Sequence, residues 1–285
     1  MRVGLLERLD DIPAAEWDAL GDPRYPFLRS AFLAALDRGG SVGGRSGWRP
    51  FIVTLSDERG LAAAAPGWLK SNSYGEFVFD FAWAQAYARH GLQYYPKLVV
   101  AAPFTPATGP RLLVRGDLER GRVVPLLLAA LEGAADERKL SSTHLLFPDE
   151  ADRAVLAARE GWLMRRDCQF HWRNRGYGCF EDFLAGFTAD KRKKARRERR
   201  RVAEEGISFR AVRGDEATRT EVLMAWELHR TTFRQRGGEP YLSAETFVAI
   251  ARGMGESLLF QFALRGGETV AVAVCFIGGD TLYGR

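Results

Sequence analysis

The sequence predicts a mixed α/β protein, and three observations carry that prediction. Short runs of β-branched and apolar residues alternate with helix-length amphipathic stretches. Hydrophobic residues are 46% and charged residues 27% of the chain, which excludes a disordered or collagen-like polymer. A length of 285 residues allows about two domains at roughly 150 residues each. The longest uncharged apolar runs, Val123–Leu131 and Thr269–Gly279, are far shorter than the roughly 18 residues of a membrane-spanning helix.

The elements follow in order. Arg2–Leu6 has the pattern of a short strand. Ala14–Leu20 and Ser30–Leu36 are expected as helices, the second with Ser30 as N-cap. Five glycines in Gly39–Gly47 mark a loop. Phe51–Leu55 and Leu61–Leu69 are expected to pair as strands across the turn residues Ser56–Gly60. Phe81–His90 predicts a helix stopped by Gly91 at C′. Leu98–Ala101 is an apolar strand core between Pro96 and Pro103. Arg120–Glu137 predicts a long helix, Thr143–Phe147 a short strand, and Asp149–Glu160 a helix capped by Asp149. Leu163–Arg173 alternates and is expected as a long strand. Phe180, Phe183, Leu184 and Phe187 fall on one helical face, and Asp190–Glu205 continues as a second helix ending at Gly206. Ile207–Val212 is expected as a strand, and Asp215–Gln235 and Ser243–Arg252 as helices. Leu258–Arg265 and Thr269–Ile277 predict a hairpin across Gly266–Gly267, and Thr281–Tyr283 starts one more strand.

The order of elements after Ile207 repeats that of the first half and then stops. The expected organisation is a first unit at residues 1–178, a helical basic connector at 179–206, and a second unit at 207–285 that is incomplete at its C-terminus.

Charge is uneven along this chain. The 41 Lys and Arg against 36 Asp and Glu leave a net +5. Asp190–Arg201 alone (DKRKKARRERRR) holds 9 basic and 2 acidic residues, net +7, so the remainder is −2. The cations form one rod on a near-neutral body. The start, MRVGLLERLDDIP, lacks the apolar core of a signal peptide. Three scattered cysteines, Cys168, Cys179 and Cys275, make no disulfide framework. His90, His144, His171 and His229 show no ligand spacing, so no metal is expected. A cytoplasmic protein with reduced thiols fits these features.

The element order resembles that of GNAT-type (acyl-CoA N-acyltransferase) folds, with mixed central sheets. The tract LLLAALEGAADERKLSSTHLLFPDEADRAVLAAREGW looks like the back half of such a domain, including the Gly161-Trp162 step. A tandem GNAT-like pair joined by a basic helix resembles the Fem family of peptidoglycan aminoacyltransferases. KRKKARRERRRVAEEGI (Lys191–Ile207) is similar to that family's K-R-x-x-I-R-x-A-x-x-x-G-V signature, with Ala195 where Ile is usual. GWLKSNSYGEFVFDFAWAQAY, GLQYYPKLVVAAPFTPATGPRLL, SSTHLLFP and QFHWRNRGY look like a bacterial group described as FemAB-like, or N-acyltransferase, and the likeness runs through nearly the whole chain. It implies transfer of an acyl or aminoacyl group to an amine of a small-molecule or cell-wall-type acceptor. It implies no tightly bound cofactor, and acyl-CoA or aminoacyl-tRNA as co-substrate. Val114–Arg120 lacks the glycine spacing of a CoA pyrophosphate loop and carries Asp117 and Glu119, so usual CoA binding is not expected in the first unit.

An N-acyltransfer site needs a proton acceptor for the amine and donors for the carbonyl oxygen. Lys70, Ser71, Asn72 and Tyr74 cluster at a glycine-bearing bend, with Lys70 suited to an anionic group and Glu76 or Asp80 to the base. The alternative is a polar turn bonded to its own backbone. Tyr95 and Lys97 precede the apolar strand at 98–101. The proline-stiffened loop after it offers Thr105 and Arg111 as ligand contacts, or serves as a rigid crossover. Alternation puts His171 on a polar strand face, either toward a cleft or toward solvent. Arg192, Lys193, Arg196 and Arg197 are candidates for phosphate, of a tRNA or another anion. Neither a Gly-x-Ser-x-Gly elbow nor a Cys–His pair supplies a nucleophile, so direct attack by the amine is expected. Two rivals stand beside this: a non-catalytic binder of nucleic acid or anionic surfaces through Lys191–Arg201, and an acetyl-CoA-dependent N-acetyltransferase using the second unit only.

Overall fold

The computed structural model describes residues 1–285 and is mixed α/β, with three four-stranded sheets. The first half runs β1 (Arg2–Leu6), α1 (Ala14–Asp18), α2 (Ser30–Arg38), β2 (Trp48–Pro50), β3 (Ile52–Asp57), β4 (Gly60–Ala65), β5 (Gly67–Lys70), α3 (Phe81–Arg89), β6 (Lys97–Val100), β7 (Leu113–Val114), α4 (Arg120–Glu137), β8 (Thr143–Leu145) and α5 (Glu150–Ala157). The second runs α6 (Phe180–Ala185), α7 (Ala189–Glu204), β9 (Ile207–Arg213), α8 (Arg219–Arg234), α9 (Ala244–Gly253), β10 (Leu258–Arg265), β11 (Glu268–Gly278) and β12 (Thr281–Gly284).

The expected pair of strands is one long hairpin, broken in the middle. β3 and β4 lie in a sheet of order β1-β3-β4-β7, and β2 and β5 in a second of order β2-β5-β6-β8. The break falls at Phe51 and Pro66, where Phe51 N–H still donates to the Gly67 carbonyl at 2.9 Å. A Cβ at Gly67 would lie 2.3 Å from the Phe51 carbonyl oxygen, so the close backbone approach requires glycine.

Side chains alternate across this hairpin, and each face has its own core. Phe51, Val53, Leu55, Ala63 and Ala65 belong to a cluster of 16 buried residues, capped by Val123, Val124, Leu127 and Leu131 of α4. Ile52, Leu61 and Ala64 point to the other side, into a cluster of 36 buried residues. That larger core runs on into the second half, taking in Val212, Phe247, Phe260 and Phe276. Phe27 packs edge-on against Phe276 with ring centroids 5.1 Å apart. A buried polar joint crosses the same seam, where Ser41 Oγ and Thr246 Oγ1 lie 2.6 Å apart and Ser243 Oγ donates to the Gly39 carbonyl at 2.5 Å.

β6 and β8 are parallel neighbours joined through α4, as a crossover helix requires. The third sheet, β12-β11-β10-β9, is antiparallel throughout.

Three expectations need correction. Leu163–Arg173 forms no strand; it is irregular and nearly all exposed. Its alternation had no partner to satisfy, because β8 at the neighbouring edge is only three residues long and a strand without a ladder gains nothing over solvated chain. Ser30 is not the N-cap of α2. Arg29 holds that position, and Ser30 binds the Asp18 carboxylate through both its N–H and its hydroxyl, each at 2.8 Å. The helix expected from Asp215 begins at Arg219, where Thr218 and Glu221 form a capping box.

Candidate active site

The register of β5 on β6 places Lys70 directly opposite Lys97. Like charges at facing positions repel, and both side chains are fully buried. Two buried ammonium groups need anions, and the loop between the strands supplies them. Lys97 Nζ donates to Glu76 Oε2 at 2.7 Å, to Ser73 Oγ at 3.2 Å and to Asp80 Oδ2. The Tyr94 hydroxyl donates to Asp80 Oδ2 at 2.6 Å, and the Tyr95 hydroxyl lies 2.6 Å from Ser73 Oγ. Lys70 receives no carboxylate; its ammonium donates to the Tyr74 carbonyl at 3.3 Å and sits 4.0 Å from the Trp48 ring centre. One oxygen of each acid, Glu76 Oε1 and Asp80 Oδ1, is buried with no partner.

The loop carrying these groups is held in strained backbone. Phe77 and Phe79 have φ of 61° and 49°, values that cost on the order of 1 kcal/mol or more each for side-chain-bearing residues. These turns bring Glu76 and Asp80 inward while Phe79 between them faces solvent.

Environment spreads the protonation behaviour of the cluster. Burial pushes the Glu76 carboxyl up against the pull of Lys97. Burial also pushes on Asp80, but the donors around it, Lys97 foremost, outweigh it and hold the group at about 2. Burial drives Lys70 down to about 7; Glu76 resists that shift and Lys97 adds to it. Burial and the Lys97 charge take His144 down to about 4, so its ring is neutral at pH 7. The set therefore holds a fixed ion pair, Asp80 with Lys97, beside Lys70, brought down to about 7, and Glu76, whose carboxyl burial pushes up.

Of the residues singled out from sequence, Lys70, Tyr74, Glu76, Asp80, Tyr95 and Lys97 come together here. Ser71 is exposed beside them, and Asn72 forms a turn by accepting from the Tyr74 N–H at 3.0 Å. Thr105 is buried on the adjoining loop and bonds the Pro103 carbonyl at 2.9 Å. Arg111 does not face a ligand. It is fully buried, and its guanidinium donates to the carbonyls of Leu146, Pro110 and Ala107 at 2.7, 2.8 and 2.7 Å, which clamps the proline loop. His171 is exposed in the irregular segment, with Gln169 its one side-chain partner at 3.3 Å, and does not join the cluster. Ser73, Tyr94 and His144 belong to the site and were not singled out; Ser73 and Tyr94 sit beside residues that were, whereas His144 arrives on β8 with no such signal in the sequence.

A separate cavity of about 420 Å³ opens between β7, the start of α4 and the β11–β12 turn, lined by Arg24, Tyr25, Arg120, Asp149 and Asp280 among others. It shares no residue with the buried cluster. Ahead of it, Asp117 is tied to Arg59 and Arg115.

Residues 8–285 match the FemAB-like family, described as peptidoglycan biosynthesis/recognition, and the chain belongs to that family. Among solved structures, one described as L-PGS from Bacillus licheniformis is similar at 14% identity and a TM-score of 0.41, the match covering 91% of this chain and 64% of that one. The chain thus spans less than two thirds of that protein's length. No curated protein matches it.

Proposed function

We propose that the chain transfers an aminoacyl or acyl group to an amine of a small-molecule or cell-wall-type acceptor, with the Lys70–Glu76–Asp80–Lys97 cluster as its acid–base centre. The unpartnered buried oxygen Glu76 Oε1 carries this reading. An acceptor-only oxygen left bare in the interior is costly, and an amine proton is what it is built to take. In the step, the amine nitrogen bonds to the donor's carbonyl carbon and the carbon–heteroatom bond to the leaving group breaks. The amine proton passes to Glu76, and Lys70, near its own midpoint at neutral pH, returns one to the leaving group. No covalent enzyme intermediate is required. Cys168 and Cys179 are exposed and Cys275 is half-buried, and none has a histidine partner among its hydrogen bonds. Family membership supports an aminoacyl-tRNA donor, with acyl-CoA the alternative. The cations of α7, with Lys193, Arg196 and Arg197 exposed and Arg192 half-buried, are the proposed contact for an anionic phosphate partner.

The test uses radiolabelled alanyl-tRNA and acetyl-CoA as donors and a lysine-containing cell-wall stem peptide as acceptor. Glu76→Gln keeps the shape of the side chain, so its melting curve should stay close to wild type while turnover falls roughly 10²–10⁴-fold, the usual worth of a general base. Full turnover in that variant would refute the assignment.

A further inference from the structure

Several large apolar side chains stand in water on one connected stretch of surface. Phe170 is 97% exposed, Leu163 88%, Phe79 72% and Trp172 63%. Single exposed apolar residues need no explanation, but these are linked. Arg165 donates to the Val78 carbonyl at 3.3 Å and so ties the 163–170 segment to the loop that carries Phe79. Trp172 packs edge-on against Phe183 of α6 at 5.9 Å, and the Arg199 guanidinium of α7 lies 4.1 Å from the Phe180 ring centre. The apolar tips thus lead without a break to the cationic helix.

That helix has no buried residue. Arg192 and Arg196 turn toward α6, bonding the Ala185 carbonyl and Glu181. On the adjacent line, Lys193, Arg197 and Arg201 have no carboxylate within 4.0 Å; the helix's own acid pairs take up Lys194 and Arg200. A row of cations without acidic partners, near solvent-exposed Phe, Leu and Trp, complements a surface that is anionic outside and apolar just beneath.

We infer that this face docks on an anionic lipid bilayer. Lipid phosphates draw α7 to the surface. Phe79, Leu163, Phe170 and Trp172 then enter the headgroup–acyl boundary, where apolar burial and interfacial Trp are favourable. α7 alone has no apolar face to insert, since Ala189, Ala195, Val202 and Ala203 are its only apolar residues; the 163–178 segment and α6 supply it. A nucleic acid would use the same cations and stack bases on Phe79, Phe170 and Trp172, but the aliphatic Leu163, 88% exposed beside them, gains nothing from stacking and is favourably buried only by a lipid surface. No helix is long and apolar enough to cross a membrane, and the inferred contact is with the bilayer surface.

The experiment is co-sedimentation of the full 285-residue chain with vesicles of phosphatidylcholine alone or containing about one-third phosphatidylglycerol. Binding should be at least about tenfold tighter to the anionic vesicles and weaken with salt. Lys193→Glu with Arg197→Glu should remove that preference. Phe170→Ser with Trp172→Ser should keep salt-sensitive recruitment but lose quenching of tryptophan fluorescence by bromolipid. All four side chains lie on the surface, and unchanged melting curves confirm that each variant folds. Three results would overturn the inference: equal or no binding to the two vesicle types; binding indifferent to both variants; or displacement of the vesicles by stoichiometric transfer RNA. A chain that instead self-associates through Phe170 and Trp172 and ignores vesicles would also overturn it.

Discussion

Replacing Lys97 by methionine removes the cation from the centre of the buried cluster while keeping most of its volume. Lys97 makes three side-chain hydrogen bonds, two of them to carboxylates that are themselves buried. Without it, Glu76 and Asp80 face each other's charge in the interior, with only Lys70 nearby. Breaking a buried ion pair from one side costs about 3–5 kcal/mol. In a chain of this size that corresponds to a melting point lower by roughly 10 °C. The loss should depend on pH in a defined direction. Asp80 is held at about 2 in the wild type, below its unfolded value near 3.9, so its contribution is present above that value and lost as pH falls through about 2. In Lys97→Met both carboxyls lose their main partner and take up protons at higher pH, so acidification from pH 7 toward 4 should narrow the gap between variant and wild type. Urea unfolding followed by tryptophan fluorescence at several pH values measures this. Adding Glu76→Gln and Asp80→Asn to Lys97→Met should recover much of the loss, since Lys70 is then the only ionisable member left and burial favours its neutral form. A single variant within about 0.5 kcal/mol of wild type at pH 7, or a gap that widens on acidification, would refute the electrostatic account.

Two further outcomes are expected. Lys70, lowered by burial to about 7, should titrate near neutrality in NMR spectra of the dimethylated protein, while exposed lysines titrate near 10; a Lys70 midpoint near 10 would deny it a proton-transfer role. Gly67→Ala drives a Cβ into the Phe51 carbonyl at 2.3 Å, backbone against backbone. It should destabilise the fold by about 2 kcal/mol or more, read as a lower urea midpoint, whereas an unchanged midpoint would mean that the hairpin can shift there.

Much of the fold was legible because periodicity, caps and turn residues are local signals. The long helix was expected over Arg120–Glu137 and runs over those residues, and the β10–β11 hairpin turns at the expected Gly266-Gly267. The start of α8 was also written locally, in the Thr218-x-x-Glu221 capping box, three residues beyond the Asp215 from which the helix was expected. The strand expected at Leu163–Arg173 failed for a non-local reason, since alternation marks a strand only when an edge is free to receive it. The site was legible in half. Lys70, Glu76, Asp80 and Lys97 could be named as chemistry-bearing residues, but lysines are ordinarily exposed. Nothing in the sequence shows that the β5–β6 register sets Lys70 and Lys97 face to face. Arg111 was misread for the same reason, because the carbonyls that occupy it come from a loop and a strand end brought together only by the fold.

The large core that crosses from Phe27 and Phe32 to Phe260 and Phe276 means that the folding unit extends past the boundary near residue 178 that the order of elements suggested. A fragment ending near residue 178 would keep the α4-covered core intact and yet present a bare aromatic wall where the second half had been. Each half completes the burial of the other's aromatic side chains. Gene fragments, domain swaps and truncations of this chain are therefore best drawn around the seam, with Ser41 and Thr246 kept on the same polypeptide, rather than at the boundary that repetition suggests.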